Sequence, residues 1–176
     1  MTTAAPDDLR PALRLARRPI THPDSVRLVE EVQAEYVQRY GGPDEAPIDP
    51  SQFEGERGGF YVGYLDGVPV ATGAWRQVAP PPGTGPGPVA EVKRMYVAAS
   101  HRRLGLARQV LAQLEEAAAA AGVRTLVLET GLRQPEAIAL YESSGYHVIP
   151  GYGYYAEAEL SRCFGKDLAP SPADTP

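Results

Sequence analysis

The chain has 176 residues, of which 43% are apolar and 22% charged, so it has room for one ordinary globular domain. No run approaches the ~20 apolar residues of a membrane span, and Cys163 is the only cysteine, which excludes an internal disulfide. The net charge of −5 argues against nucleic acid as the main partner, because phosphate binding needs a basic face.

The N-terminus lacks the basic-then-apolar order of a signal peptide, which predicts a cytoplasmic protein. One cysteine and three histidines at no recognisable spacing predict that no metal is bound. Residues 1–10 and 167–176 are rich in Pro, Ala, Asp and Thr and are predicted to be a flexible N-terminus and a flexible C-terminal tail. The domain is expected to span residues 11–166.

The first half of the chain predicts a strand, a helix and a hairpin. An apolar run at 13–16 indicates the strand, and the helix is expected from His22 to the stop at Gly41. Its buried face is predicted from helical spacing as Val26, Val29, Val32, Tyr36 and Val37. Residues 43–58 predict a loop or a short helical turn. Two apolar runs, 60–65 and 68–75, flank Asp66-Gly67, which is typical of a tight hairpin.

The second half predicts a Pro/Gly loop (79–88), strands at 89–97 and 125–128, and a final hairpin of 146–149 with 160–164. A helix is predicted over 104–121 and closed by Gly122, with Leu104, Ala107, Val110, Leu111, Leu114, Ala118 and Ala121 on its buried face. Another is predicted over 135–144, with proline in its first turn.

This element order predicts an α/β fold, a single domain with a mixed β-sheet flanked by helices on both faces. Two strand–helix–strand crossings follow one another in the second half of the chain. The segments Val92–Val97 and Leu126–Glu129 are therefore expected to lie parallel and adjacent in the sheet.

A basic loop joins the strand at 89–97 to the long helix. A helix start exposes unpaired backbone N–H groups, which attract phosphate. Gly105 and Ala107 would let an anion approach the main chain, and Arg102, Arg103 and Arg108 add positive charge beside it. A pyrophosphate would suit this arrangement, although a helix with solvated arginines and no ligand has the same composition.

The segment Arg102-x-x-Gly105-x-Ala107 resembles the Gln/Arg-x-x-Gly-x-Gly/Ala signature of the GNAT acyltransferases, and it stands between a central strand and the main helix, where that signature belongs. The segment from Gln134 to Tyr146 resembles the second cofactor motif of that family. The resemblance implies a GNAT-like fold, acetyl-CoA as acyl donor, an amine acceptor that is a small molecule or a peptide, and a homodimer. Gln134 departs from the asparagine usual in the family and offers the same amide group on a longer side chain.

The resemblance also implies which residues bind the donor. The backbone of the central strand would pair with the pantetheine arm, and the amides of the basic loop would hold the pyrophosphate. The expected cofactor-binding residues are Met95, Tyr96, Val97, Arg102, Arg103, Leu104, Gly105, Leu106, Ala107, Arg108 and Gln134.

Amine acylation needs a neutral nucleophile, yet an amine with a pKa near 10.4 is neutral in only about one molecule in 2,500 at pH 7. By the resemblance, Glu91 is the candidate base and Tyr141 the candidate proton donor to the leaving thiolate. Glu129 is the alternative base. Each has a structural alternative: Glu91 as an ion-pair partner of Lys93 or Arg94, and Tyr141 as a core residue.

The acceptor site is expected at the open end of the sheet, and the candidates for its lining are Tyr36, Arg39, Tyr40, Trp75, Tyr152, Tyr154 and Tyr155. Cys163 is expected to be a small buried hydrophobe. The leading hypothesis is direct acetyl transfer from acetyl-CoA to a primary amine. A non-catalytic acyl-CoA-binding sensor or scaffold is the alternative. A nucleotide-binding protein is disfavoured because no Gly-Lys-Ser/Thr follows the glycine.

Overall fold

The computed structural model describes residues 11–168, which form three helices and seven strands. In chain order these are β1 (Arg14–Arg17), α1 (Pro23–Tyr40), β2 (Gly58–Leu65), β3 (Val68–Val78), β4 (Val89–Val97), α2 (Leu106–Ala120), β5 (Thr125–Gly131), α3 (Pro135–Ser143), β6 (His147–Ile149) and β7 (Ser161–Asp167). Short 3₁₀ turns at Pro50–Phe53 and Ala99–His101 interrupt two of the loops. No helix within residues 11–168 is long and apolar enough to span a bilayer.

All seven strands belong to one mixed sheet, in the order β1-β2-β3-β4-β5-β7-β6. Strands β4 and β5 are parallel and adjacent, as predicted from the two strand–helix–strand crossings. They pair over Val89–Val92, however, so most of the predicted segment Val92–Val97 lies beyond the pairing with β5. Every other neighbouring pair is antiparallel. The predicted final hairpin is present as β6 and β7, and β7 lies between β5 and β6.

The hairpin of β2 and β3 turns at Asp66-Gly67, as predicted. Both residues adopt left-handed backbone angles, with φ of 50° and 79°. Two successive positive φ values give the turn a twist that matches the twist of the flanking strands.

Helix α1 has the predicted limits, and its buried face overlaps the predicted one only at Val32 and, in part, Val29. His22 caps its start, with Nδ1 accepting a hydrogen bond from the Asp24 amide at 3.2 Å. The buried residues are Ser25, Leu28 and Val32, whereas Val26 and Val37 are 41% and 47% exposed. Val26 and Val37 lie about 200° and 180° around the helix from Leu28, so they cannot share its face. The prediction followed the helical spacing of the valines and left Leu28 out of the buried face.

Helix α2 begins two residues later than predicted. Gly105 precedes it with φ of 77°, a left-handed angle that cannot be part of the helix. Leu104 therefore lies outside the helix and is 38% exposed. The buried residues are Leu106, Val110, Leu111, Leu114 and Ala118, so Ala107 and Ala121 do not belong to the buried face either. Gly122 follows the helix with φ of 82°, as expected for its end.

The helices cover the sheet in two separate apolar clusters. Helices α2 and α3 contribute Val110, Leu114 and Tyr141 to the larger cluster, which includes Leu126 and Phe164 of the sheet. Helix α1 contributes Leu28 to a second cluster, with Phe53, Phe60, Val62, Tyr64 and Ala74. This arrangement agrees with the predicted sheet covered on both faces.

The end of the sheet lies slightly beyond the predicted domain limit. Strand β7 includes Asp167, and the Leu168 amide donates to the Arg124 carbonyl at 2.8 Å. Asp167 and Leu168, which the sequence analysis placed in the tail, thus belong to the folded domain. The remaining tail residues, 169–176, and the predicted flexible segment 1–10 lie outside the described residues.

Candidate active site

A large cleft opens where β4 and β5 separate. The two strands pair only from Val89 with Thr125 to Val92 with Leu128. Just beyond this point Arg94 has φ of 55° and the β3–β4 register shifts, so β4 contains a bulge. The Thr72 hydroxyl, which is buried, donates to the Arg94 carbonyl at 2.8 Å and holds the bulge. The resulting cleft has a volume of about 1370 Å³.

The cleft brings together the predicted donor-binding residues from three parts of the chain. Its lining includes Met95, Tyr96, Val97, Arg102, Arg103, Gly105, Leu106, Ala107, Arg108 and Gln134. Leu104 does not line it, because the turn before α2 directs this residue outward. Residues that are 39 positions apart in sequence thus border one continuous space.

The start of α2 has the properties of an anion site. No side chain in the described part of the chain caps this helix at Gly105. Its first amides are therefore open to a ligand that accepts hydrogen bonds. Arg108 lies beside them and donates to the hydroxyls of Ser143 and Ser144 at 2.7 and 3.1 Å. Its guanidinium thereby links α2 to the end of α3 at the edge of the cleft.

Arg102 supports the loop from within. Its Nε donates to the Val97 carbonyl at 3.0 Å, and its Nη2 pairs with the carboxylate of Glu35 on α1. Its guanidinium also lies 5.7 Å from the centre of the Tyr96 ring. These contacts leave it few donors for a phosphate, so its main effect in this structure is to fix the loop against β4 and α1.

The C-terminal end of α1 also contacts the opposite wall of the cleft. Arg39 pairs with Glu136 of α3 at 2.5 Å and donates to the Arg133 carbonyl at 2.8 Å. The amide group of Gln134, the second-motif residue, donates to the Tyr40 hydroxyl at 3.3 Å. Helix α1 therefore bridges the mouth of the cleft from the α2 loop to the α3 loop.

Tyr141, the candidate proton donor, lies on α3 and is only 5% exposed. Its ring packs against Tyr146 and Phe164, with centroids 5.8 and 6.3 Å away. Tyr141 nevertheless lines the cleft, and its hydroxyl has no hydrogen-bond partner within residues 11–168. Burial raises its pKa well above the usual tyrosine value, and nearby Tyr36 adds to the effect. Tyr141 is therefore a neutral hydroxyl at physiological pH and keeps its proton until a stronger base, such as a departing thiolate, forms beside it.

Glu91, the first candidate base, is held in an ion pair away from the large cleft. Arg76 donates to Glu91 Oε2 from Nη2 at 2.9 Å and from Nε at 3.2 Å, and the Tyr152 hydroxyl donates to Oε1 at 3.1 Å. Lys93 lies 3.5 Å from the same Oε1. The side chain is 6% exposed and borders a smaller neighbouring cavity.

Glu129, the alternative base, lines both the large cleft and the smaller cavity. Burial raises its pKa to about 7, the negative charges of Glu91 and Asp44 act in the same direction, and Lys93 opposes them. A carboxyl group with a pKa near the working pH is well suited to accept and release protons. Its position at the end of β5 was the sequence signal that made it a candidate.

The residues predicted to line the acceptor site divide into three groups. Tyr36, Arg39, Tyr40 and Tyr155 line the large cleft, and Tyr152 and Tyr154 line the smaller cavity. Trp75 was predicted wrongly, since it is 3% exposed and belongs to the core on the α2 side. Cys163 is buried at 3% exposure in β7, as expected.

Sequence reasoning did not identify Arg94 and Asp44 as residues of the cleft. Arg94 Nη1 lies 3.1 Å from Asp44 Oδ2, with the arginine side chain 7% exposed. The contact depends on the bulge in β4, and a bulge leaves no clear pattern in a single sequence.

Comparison with known families agrees with this geometry. A model of the Acetyltransferase (GNAT) family matches residues 26–146, which include both loop motifs and all three candidate catalytic side chains. The chain belongs to the GNAT family. Membership confirms the resemblance inferred from Arg102-x-x-Gly105-x-Ala107 and from the segment that begins at Gln134.

Two curated proteins are similar over part of this GNAT chain. An IAA acetyltransferase of Azospirillum brasilense is 40% identical over 78 residues, which are 44% of this chain and 51% of that protein. YsnE, an uncharacterised N-acetyltransferase of Bacillus subtilis (strain 168), is 41% identical over 80 residues, 44% of this chain and 53% of that protein. Each match spans about half the length of the curated relative.

Solved structures share the fold over nearly the whole chain. A protein of Klebsiella pneumoniae subsp. pneumoniae MGH 78578, provisionally assigned as an acyl-CoA N-acyltransferase, superposes with a TM-score of 0.70 at 26% identity, covering 89% of this chain and 98% of that one. A GNAT family acetyltransferase of Elizabethkingia anophelis with acetyl-CoA bound gives a TM-score of 0.60 at 12% identity over 89% and 98% of the two chains. At that identity the likeness concerns the fold alone.

Proposed function

We propose that this GNAT protein transfers an acetyl group from acetyl-CoA directly to a primary amine. One observation carries the proposal: a single cleft connects an uncapped helix start to a buried hydroxyl, Tyr141, and a carboxyl group with a pKa near 7, Glu129. The first feature suits a phosphate-bearing donor, and the other two suit proton transfer at its reactive end.

The donor would be held by backbone groups and by charge. The amides of Leu106 to Arg108 would bind the pyrophosphate, with Arg103 and Arg108 beside them. The β5-facing side of β4 beyond Val92 is free of strand pairing, so its main chain is open to a pantetheine arm, with Gln134 on the opposite wall. The residues present therefore fit acetyl-CoA.

The transfer needs no covalent enzyme intermediate. The neutral amine nitrogen attacks the thioester carbonyl carbon, a C–N bond forms and the C–S bond breaks. The nitrogen loses one proton to Glu129, and the departing sulfur receives one from the Tyr141 hydroxyl. Both side chains then return to their starting protonation states by exchange with water. Positioned proton transfer of this kind typically contributes ~10²–10⁴ in rate.

We assign the base to Glu129 in preference to Glu91. The carboxylate of Glu91 accepts three hydrogen bonds from Arg76 and Tyr152 and does not line the cleft that would hold the thioester, whereas Glu129 borders that cleft. Its negative charge instead contributes to the raised pKa of Glu129. In this assignment Glu91 is a positioning residue.

The acceptor class, the cellular compartment, the oligomeric state and the absence of a nucleic-acid partner are proposed from the family resemblance and the composition. The acceptor is an amine on a small molecule or a peptide, the protein works in the cytoplasm, and it forms a homodimer. Nucleic acid has no part in the reaction.

The experiment that tests the proposal measures thiol release from acetyl-CoA in the presence of a panel of amines, with acetyl-CoA binding followed in parallel by calorimetry. We expect tight donor binding and amine-dependent thiol release. Tight donor binding with no release for any amine would instead support a sensor or scaffold. Absence of donor binding would refute the proposal as a whole.

A further inference from the structure

A second cavity, of about 660 Å³, lies beside the large cleft and is lined by three loops and by residues of β3, β4 and β5. Within the described chain, only Lys93 and Glu129 border both spaces. A ligand in the smaller cavity would thus meet the donor cleft at these two side chains. The cavity is otherwise separate from the residues that we assign to donor binding.

The cavity has a charged floor and apolar walls. Arg76, Glu91, Lys93 and Glu129 form the floor, and the walls consist of Ala46, Pro47, Val78, Ala79, Pro81, Pro82, Tyr152, Gly153 and Tyr154. Of the two floor carboxylates, Glu91 already accepts hydrogen bonds from Arg76 and Tyr152. Glu129 is therefore the carboxylate left for a cationic or hydrogen-bonding ligand.

The walls set a limit on the charge of the acceptor. No wall residue is acidic, so an amino group at the far end of a ligand would find no counterion there. An ammonium that lies against prolines and tyrosines loses part of its hydration without gaining a counterion, whereas an alkyl or aryl group gains by leaving water.

We propose that this smaller cavity is the acceptor site and that its acceptor is a monoamine with a compact apolar body, its nitrogen placed at Glu129. The inference rests on the proposed acetyl transfer and narrows its substrate class. It disfavours polyamines and aminoglycosides, which carry several ammonium groups. The transferred atoms and protons are those of the step described above.

A matched pair of amines tests the charge limit. Hexylamine and 1,6-diaminohexane have the same chain and differ by one terminal ammonium. With the wild-type protein and acetyl-CoA, we expect kcat/KM for hexylamine to exceed that for the diamine by about tenfold, because the wall cannot pair the second charge. Equal values, or a preference for the diamine, would overturn the proposal.

A substitution at the wall should shift the preference. Ala79→Asp adds a carboxylate at an exposed wall position and should move the hexylamine-to-diamine ratio at least about fivefold toward the diamine. Ala112→Asp makes the same change at an exposed position of α2 outside both spaces and should leave the ratio unchanged. A similar shift in both variants, or in neither, would contradict the assignment of the cavity.

A binding measurement separates this inference from the proposed reaction. Hexylamine is titrated by calorimetry into the protein saturated with CoA, which cannot react. We expect saturable binding that Tyr154→Ala weakens and Tyr154→Phe retains, since the ring forms part of the wall. Binding of this kind without turnover would refute acetyl transfer but keep the site. Turnover of other amines without hexylamine binding would refute the site but keep acetyl transfer.

Discussion

Lys93 and Glu129 border the same two cavities, at the point where parallel strands β4 and β5 separate. The lysine stabilises the ionised carboxylate, yet burial outweighs that effect and the pKa of Glu129 rises to about 7. Glu129 can therefore exchange protons near neutral pH, and it lies where the large cleft meets the smaller cavity. The predictions below depend on this position and on the uncapped start of α2.

The first prediction distinguishes the two candidate bases by matched substitutions. Glu129→Gln should lower kcat at pH 7 by about 100-fold or more, because proton removal from the amine is lost. Raising the pH should restore part of the rate, since the amine then becomes neutral unaided. Glu91→Gln should cost much less and should lower the apparent kinetic pKa, because it removes a negative charge that raises the pKa of Glu129. A larger loss of kcat at pH 7 in Glu91→Gln than in Glu129→Gln would identify Glu91 as the base.

The raised pKa of Glu129 also predicts how stability depends on pH. The folded pKa, about 7, exceeds the ordinary value of 4.5, so the folded state binds more protons between these two values. The contribution of this proton binding to the free energy of unfolding is fully present below pH 4.5 and is lost as the pH rises through 7. Glu129→Gln has no charge to bury. Its Tm should exceed that of the parent at pH 8 and approach it near pH 5, as checked by thermal unfolding at both values.

The size of that difference should be modest. Glu129 is partly exposed, and discounting for solvent screening gives about 1 kcal/mol at pH 8. For a domain of this size that corresponds to about 2–4 °C. A variant less stable than the parent at pH 8 would indicate that the ionised carboxylate is favourably paired in the folded state.

Donor binding should depend on Gly105. Gly105→Glu introduces a side chain and a negative charge at the start of α2, where phosphate would approach, and should abolish acetyl-CoA binding in calorimetry. Gly67→Glu is the matched control, because Gly67 has nearly the same left-handed φ, 79° against 77°, and lies in the β2–β3 turn outside the cleft. Both variants carry the same backbone strain. Equal donor affinity in the two would exclude a phosphate site at α2.

Tyr141→Phe tests the proton donor. The ring would keep its contacts with Tyr146 and Phe164, so folding and acetyl-CoA affinity should be preserved. Turnover should fall by about 10-fold or more, and the loss should appear in kcat with little change in the acetyl-CoA KM. The loss should also shrink with an activated thioester whose leaving thiol has a low pKa, since that sulfur needs no proton. Turnover at the parent rate would make Tyr141 a packing residue.

Local signals in the sequence predicted those parts of the fold that depend on neighbouring residues. The limits of β4 and the turn at Asp66-Gly67 follow from short patterns, and the loop before α2 carries a recognisable signature. The orientation of α1 was predicted only in part: Val32 is buried as predicted, but Val26 and Val37 lie opposite Leu28, and only packing against the sheet decides which face is buried.

The candidate site was harder to predict from the sequence, since it depends on which residues pair across neighbouring strands. Arg76 neutralises Glu91 because β3 and β4 align these two residues opposite one another. The bulge at Arg94, which shifts the register of β3 and β4 beyond this pair, is likewise not visible in a single sequence. The burial that raises the pKa of Glu129 likewise depends on loops that are distant in sequence and meet only in the folded chain.

The bridge made by α1 has a consequence for how wide the cleft can be. Beyond Val92 β4 and β5 are not paired, and the described contacts across the mouth include two ion pairs, with Glu35 and Arg39 on α1 reaching Arg102 on one side and Glu136 on the other. Such pairs weaken as dissolved salt shortens the range of electrostatic attraction, whereas sheet hydrogen bonds are much less affected. The width of the cleft mouth is thus expected to depend more on ionic strength than the sheet beneath it does.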